Sequence, residues 1–202
     1  MRYQLSAPYQ YEEDIKKSRF LALAAPVNHP DQALEYIQTH SVPEATHNCW
    51  AFKIDEVYRF NDDGEPGGTA GRPILQAIEG QDCDRVVVLV IRWFGGVKLG
   101  TGGLVRAYGG VAASCLRLAP KNPIVAMQTV RCSCAYSDSD LVRSRFDTYQ
   151  AQVLAEEFGA TGVEWLLAVP LDQLEALAEQ FNNWTSGQGF WSTLERTDSQ
   201  SL

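Results

Sequence analysis

The most regular apolar pattern in the chain is RVVVLVIRWF, Arg85 to Phe94. It is β-branched and almost continuously hydrophobic, which predicts a strand buried on both faces. Phe20 to Val27 predicts another strand, and Asp31 to His40 a short helix. Asn48 to Ile54 and Val57 to Phe60 read as a hairpin. The loop DDGEPGGTAG follows. Pro73 can open the helix PILQAIEG, since proline is tolerated in a first turn. After the buried strand comes a glycine-rich loop, then a helix from about Leu104 to Leu118.

Beyond LAPKNPIVAM (Leu118 to Met127), where two prolines follow a helical segment, the periodicity changes. Val130, Cys132, Cys134 and Tyr136 alternate with Arg131, Ser133 and Ala135, as in a half-buried strand. Asp138 or Asp140 can cap a helix carrying Leu141, Val142, Arg145, Phe146 and Tyr149. QVLAEEF and VEWLLAV predict two more strands, with Gly159 and Gly162 around the turn between them. Leu171 to Phe181 has amphipathic helical spacing, and Gly189 to Leu194 can close the sheet. The order is βαββαβ, a ferredoxin-like arrangement. The expectation is an α+β protein of two domains, residues 1–122 and 123–202.

Composition narrows the class. With 202 residues, 45% apolar and 21% charged, the chain can bury a real core. The N-terminus has no apolar stretch of the signal-peptide kind. The longest aliphatic run, Val86 to Ile91, is far too short to span a membrane. Five cysteines, none in CxxC spacing, fit a reduced, cytoplasmic protein.

Charge distribution points to a local anion site. Net charge is −8, yet Arg85 to Ser137 holds no Asp or Glu and carries +7, so the rest carries −15. Inside that stretch lies RWFGGVKLGTGGLVRAYGG, with seven glycines in nineteen residues. Glycine weakens ordinary secondary structure, so something there requires close backbone approach or unusual dihedrals. The loops GGTAG and GGVKLGTGG each precede a helix. Helix starts expose N–H groups and the positive end of the helix dipole, and glycine lets an anion reach them. Phosphate is the natural ligand, and tight turns with close helix–sheet packing are the alternative reading. The candidate anion- or RNA-binding residues are Thr69, Gly71, Arg72, Arg92, Gly95, Gly96, Lys98, Gly100, Thr101, Gly102, Gly103 and Arg106. Neither loop matches a dinucleotide fingerprint or a P-loop: Val105 stands where the third fingerprint glycine belongs.

Other residues leave alternatives open. Asp62, Asp63 and Glu65 can hold a hard cation such as Mg²⁺, form a turn around Gly64, or orient Arg72 or another cation. His47 and Cys49 share a strand face, as a nucleophile pair or as ordinary half-buried strand positions. Cys132 and Cys134 alone make a poor zinc site. Trp93 and Phe94 end the buried strand beside the glycine loop, where they can stack on bases or plug the end of the core. They point opposite ways, so one of them is expected to be exposed.

Three stretches together resemble the Impact family. They are HNCWAF (His47 to Phe52), DDGEPGGTAGRPIL (Asp62 to Leu75) and VVVLVIRWFGGVKLGTGGLVRAYGG (Val86 to Gly110). Gly67 departs mildly from the family pattern, where Ser or Ala is expected in many relatives. The resemblance implies an N-terminal domain with a left-handed βαβ unit, similar to domains of a small-subunit ribosomal protein and of RNase PH. It also implies a ferredoxin-like C-terminal domain. That pair is similar to the last two domains of elongation factor G. Eukaryotic relatives regulate translation under starvation through a protein partner, using an additional N-terminal domain. This chain starts directly at the family domain, so that partner is not carried over. The resemblance supplies no catalytic residue.

The expected function is therefore a non-enzymatic cytosolic factor that binds RNA or the ribosome and modulates translation, without a cofactor or a membrane. One alternative is a nucleotide- or phosphate-binding enzyme using Mg²⁺ on Asp62, Asp63 and Glu65, with Thr101 and the Gly100–Gly103 backbone on the phosphates. Another is a protein-binding adaptor using the ferredoxin-like sheet.

Overall fold

A computed structural model describes residues 1–194 and divides into two compact units, Met1–Ile124 and a second beginning at Val125. The first unit runs β1 (Tyr3–Leu5), β2 (Tyr9–Ile15), β3 (Ser18–Pro26), α1 (Pro30–His40), β4 (His47–Ile54), β5 (Val57–Asn61), α2 (Gly71–Gly80), β6 (Val86–Trp93), α3 (Thr101–Leu118) and β7 (Lys121–Pro123). Five strands form one sheet in the order β2-β3-β6-β4-β5. Every neighbouring pair is antiparallel. Strands β3 and β4 therefore run parallel with β6 between them, joined by α1 as a split βαβ unit.

The central position of β6 explains its sequence. Val86, Val88 and Val90 face α2 and α3, where they join Phe20, Ala22, Cys49, Ile74, Ile78, Tyr108 and Val111. Val87 turns to the other face with Ala33 and Ile37 of α1 and with Phe52. A strand covered on both faces needs apolar residues at both parities. Pro73 lies in the first turn of α2, which begins two residues earlier, at Gly71. Helix α3 begins at Thr101 rather than near Leu104, so GTGG belongs to the helix start.

Three peripheral strands have no apolar signature. The pattern of β2 is YQYEEDI, mostly exposed at the sheet edge. Strands β1 and β7 form a separate antiparallel pair, Tyr3 opposite Pro123 and Leu5 opposite Lys121.

The second unit comprises β8 (Met127–Ala135), α4 (Tyr136–Arg145), a 3₁₀ turn (Phe146–Tyr149), β9 (Gln152–Phe158), β10 (Gly162–Pro170), α5 (Leu174–Trp184) and β11 (Phe190–Thr193). Its sheet order, β11-β8-β10-β9, is antiparallel throughout. This is the ferredoxin-like arrangement that the periodicity predicts. Val130, Cys132, Trp165, Leu167, Phe146 and Phe181 fill its core. The Phe146 and Trp165 rings meet edge-to-face at 5.3 Å.

The start of α4 differs from expectation. Strand β8 ends at Ala135, which is also the N-cap, and no side chain caps the helix. Asp138 sits in the first turn, where its charge complements the helix dipole. Tyr136 leaves the sheet face and donates its hydroxyl to the Gly159 carbonyl at 2.6 Å. Among the described residues no helix is long and apolar enough to cross a membrane.

Candidate functional site

Arg92 is the last inward-facing residue of β6 before its C-terminal end, continuing the Val86–Val88–Val90 face. A guanidinium there cannot lose its charge, so burial demands a partner. Glu65, from the loop between β5 and α2, supplies it: Arg92 Nη1 donates to Glu65 Oε1 at 2.6 Å. The two residues are 5% and 8% exposed. Tyr108 of α3 donates its hydroxyl to the same oxygen at 2.7 Å. His47 on β4 presents Nε2 to Glu65 Oε2 at 3.8 Å. Arg92 Nη2 donates to Ser18 Oγ at 3.4 Å, and its Nε has no hydrogen-bond partner among the described residues. The guanidinium carbon lies 5.5 Å from the ring centres of both Phe20 and Phe94.

The acidic loop is held as tightly. The Asp62 carboxylate accepts the N–H of Gly68 at 2.8 Å, of Ala70 at 2.9 Å and of Gly71 at 2.8 Å. Burial alone would raise the Asp62 carboxyl, but these donors together hold it below its ordinary value. Asp62 thus occupies the start of α2 as an internal anion. Asp63 accepts the Asn48 N–H, and its own carbonyl receives a hydrogen bond from His47 Nδ1 at 2.7 Å. The carbonyl fixes Nδ1 as the donor.

These contacts change how several candidate residues read. The GGTAG N–H groups at Ala70 and Gly71 are satisfied by Asp62, and Thr69 Oγ1 donates to the Pro66 carbonyl at 2.6 Å. Arg92 lies inside the domain and is neutralised by Glu65 rather than offered to phosphate. Asp62, Asp63 and Glu65 are committed to backbone donors, Arg92 and Tyr108. Among the described residues no group of three or more His, Cys, Asp or Glu is placed to hold a metal ion. Cys49 donates to the Asp62 carbonyl at 2.9 Å. Burial, followed by the neighbouring carboxylates, pushes its thiol up to about 12, despite an opposing hydrogen bond from Tyr108. A protonated, fully buried thiol is no nucleophile, so Cys49 belongs to the core and His47 to the loop anchor.

The second glycine loop is different. Gly95 lies so close to the β2–β3 turn that a Cβ there would stand 1.7 Å from the Lys17 carbonyl oxygen. Its N–H donates to Ser18 Oγ at 3.2 Å. Gly100, the N-cap of α3, has φ 73° and no side chain to offer the helix start. Gly96, Lys98, Thr101, Gly102 and Arg106 are exposed and Gly103 half-exposed. Arg106 folds back over the first turn, its Nη1 3.6 Å from where a Gly102 Cβ would lie. Arg72, exposed beside Gly71, starts α2. Sequence reasoning missed Lys16 and Lys17, which the turn brings against Gly95. No apolar pattern marks β2, the strand before them, so nothing in the sequence placed a turn at the lysine pair.

The three stretches of sequence singled out earlier therefore converge: His47 and Cys49, Asp62 to Gly71, and Arg92 to Tyr108 interlock around Glu65. The Impact N-terminal domain family matches residues 16–116, half of the chain, and a domain of unknown function (DUF1949) matches residues 132–188. An IMPACT family member of Haemophilus influenzae is 34% identical over 187 residues, covering 88% of this chain and 89% of that protein.

The chain belongs to the Impact family.

A Thermus thermophilus relative described as an IMPACT family member in pol 5'region is 61% identical over 111 residues. That match covers 55% of this chain and 62% of the relative's length. A crystal structure titled as that of a hypothetical protein superposes with a TM-score of 0.69 at 27% identity, covering 97% of this chain and 99% of the other.

The departure at Gly67 also has a structural account. A Cβ there meets nothing within 4 Å, and the residue is not among the glycines with positive φ. Gly67→Ala is expected to stabilise this Impact domain by about 0.4–1 kcal/mol, because alanine restricts only the unfolded chain. Urea denaturation with an unchanged slope and a raised midpoint is the expected result.

Proposed function

We propose that this protein is a non-enzymatic cytosolic factor that binds RNA or the ribosome through the α3 end of its Impact domain and modulates translation. The observation that carries this reading is the state of the cations there. Lys16, Lys17, Lys98 and Arg106 are exposed, and none forms an ion pair among the described residues. Arg19, Arg85 and Lys53 each pair with a carboxylate, while Arg59, Arg117 and Arg145, elsewhere, are exposed without an ion pair among the described residues. Unpaired cations beside an N-terminal helix turn that lacks a side-chain cap suit a phosphate backbone. The net charge of −8 confines attraction to that face. The five cysteines are all free and buried, which suits a reducing compartment. The Mg²⁺-dependent nucleotide reading lacks ligands, since its three carboxylates are already engaged.

The test is sedimentation with ribosomes at low and moderate salt. Co-sedimentation is expected at low salt and should fall steeply as salt rises, because phosphate contacts release counterions. Lys98→Glu/Arg106→Glu should abolish it. Undiminished co-sedimentation of that double variant would remove the reading.

A further inference from the structure

We propose that Phe94 is a stacking platform for an unpaired base of a single-stranded RNA segment, with Lys16, Lys17 and Lys98 taking the flanking phosphates. The inference rests on the RNA reading above and sharpens it from phosphate attraction to recognition of single strands.

Phe94 is a large apolar residue left 45% exposed. It is nonetheless held in place. Its N–H donates to Thr46 Oγ1 at 2.9 Å. The Arg92 guanidinium lies over its ring at 5.5 Å, and that guanidinium is pinned by Glu65 at 2.6 Å and Ser18 at 3.4 Å. One ring face is thus occupied by a buried, immobile cation. A ring fixed in this way loses little freedom when something flat settles on it. Trp93 makes the contrast. It lies on the opposite sheet face and is already covered by Arg19 at 4.6 Å, which itself pairs with Glu12.

Charge decides the occupant. The residue after Phe94 is Gly95, whose backbone lies against the Lys17 carbonyl. Ile15 pairs with Ser18, so Lys16 and Lys17 alone form the β2–β3 turn. Both have positive φ, 47° and 69°. Such two-residue turns favour Asn-Gly, and lysine adopts that conformation only with strain. Strain retained in a turn that carries two free cations beside an exposed ring points to use of those cations. Lys98 adds a third from the loop itself. An exposed aromatic ring one residue from the backbone contact with a lysine turn matches a strand whose bases and phosphates alternate. A duplex hides its base faces and cannot use the ring.

The experiment measures affinity of the full chain at low salt for three RNAs: a short oligouridylate, its abasic analogue with the same phosphates, and a duplex. Wild type should prefer the oligouridylate to the abasic strand by about tenfold, the scale of one stacked base. Phe94→Ala should erase that preference while leaving abasic binding and its salt slope unchanged. Phe94→Trp should keep the preference, with fluorescence quenching on binding of oligouridylate alone. Equal wild-type affinity for the oligouridylate and the abasic strand, or a preference that survives in Phe94→Ala, overturns the platform while the phosphate reading stands. Binding of none of the three RNAs removes the phosphate reading and the platform with it.

Discussion

Replacing Glu65 with alanine is expected to destabilise the Impact domain by about 3–5 kcal/mol, because it leaves the buried Arg92 charge without its partner. The geometry gives little room for rescue. Arg92 is 5% exposed, its Nη1 has Glu65 Oε1 at 2.6 Å, and its Nε already lacks a partner. Tyr108 loses its acceptor in the same step. Since a domain's whole stability is about 5–15 kcal/mol, the variant should unfold at much lower urea and can lose its cooperative transition. Glu65→Leu combined with Arg92→Met should recover most of the loss, since removing both charges abolishes the desolvation that each imposes on the other. A cost near that of an ordinary surface substitution would mean that water reaches the pair. In that case Arg92 would be available to ligands after all.

Gly95→Ala is expected to cost about 3 kcal/mol or more, at or beyond the upper end of ordinary overpacking. The added methyl would meet backbone, at 1.7 Å from the Lys17 oxygen and 2.1 Å from its carbonyl carbon, and backbone cannot rotate aside. The β2–β3 turn would have to part from the end of β6. The Gly95 N–H to Ser18 Oγ bond would go with it, and Ser18 also steadies Arg92. Chemical denaturation of this variant beside Gly67→Ala gives opposite signs for the same chemical change. If both proved neutral, the close approach at Gly95 would not exist in solution.

Most of the architecture was legible where it is periodic. The βαββαβ order of the second unit shows in alternation at Val130 to Ala135 and in the spacing of Leu174, Leu177 and Phe181. Strand β6 shows in its unbroken apolar run. Edge strand β2 does not, because only Tyr9, Tyr11 and Ile15 reach the core and the run Glu12 to Asp14 breaks the alternation. The candidate site was half legible. Its glycine loops and cations stand out in composition. The Glu65 hub does not, since its partners lie 27 and 43 residues away and pairing at that range has no period. One clue was present: Arg92 falls on the inward parity of a strand otherwise filled by valine, and a charge there has to be met. Asp62 carried no such clue. Its carboxylate takes the N–H groups at the start of α2, where composition alone suggested an external anion.

The pairing of β1 with β7 bears on how the protein is made. Residues 3–5 hydrogen-bond to residues 121–123, so the ends of the first unit close on each other. At about 5–20 residues per second, the N-terminal strand waits on the order of ten seconds after synthesis before its partner exists. Until then the β1–β7 pair cannot form, so the two ends of the Impact domain close on each other only once residues 121–123 have left the ribosome.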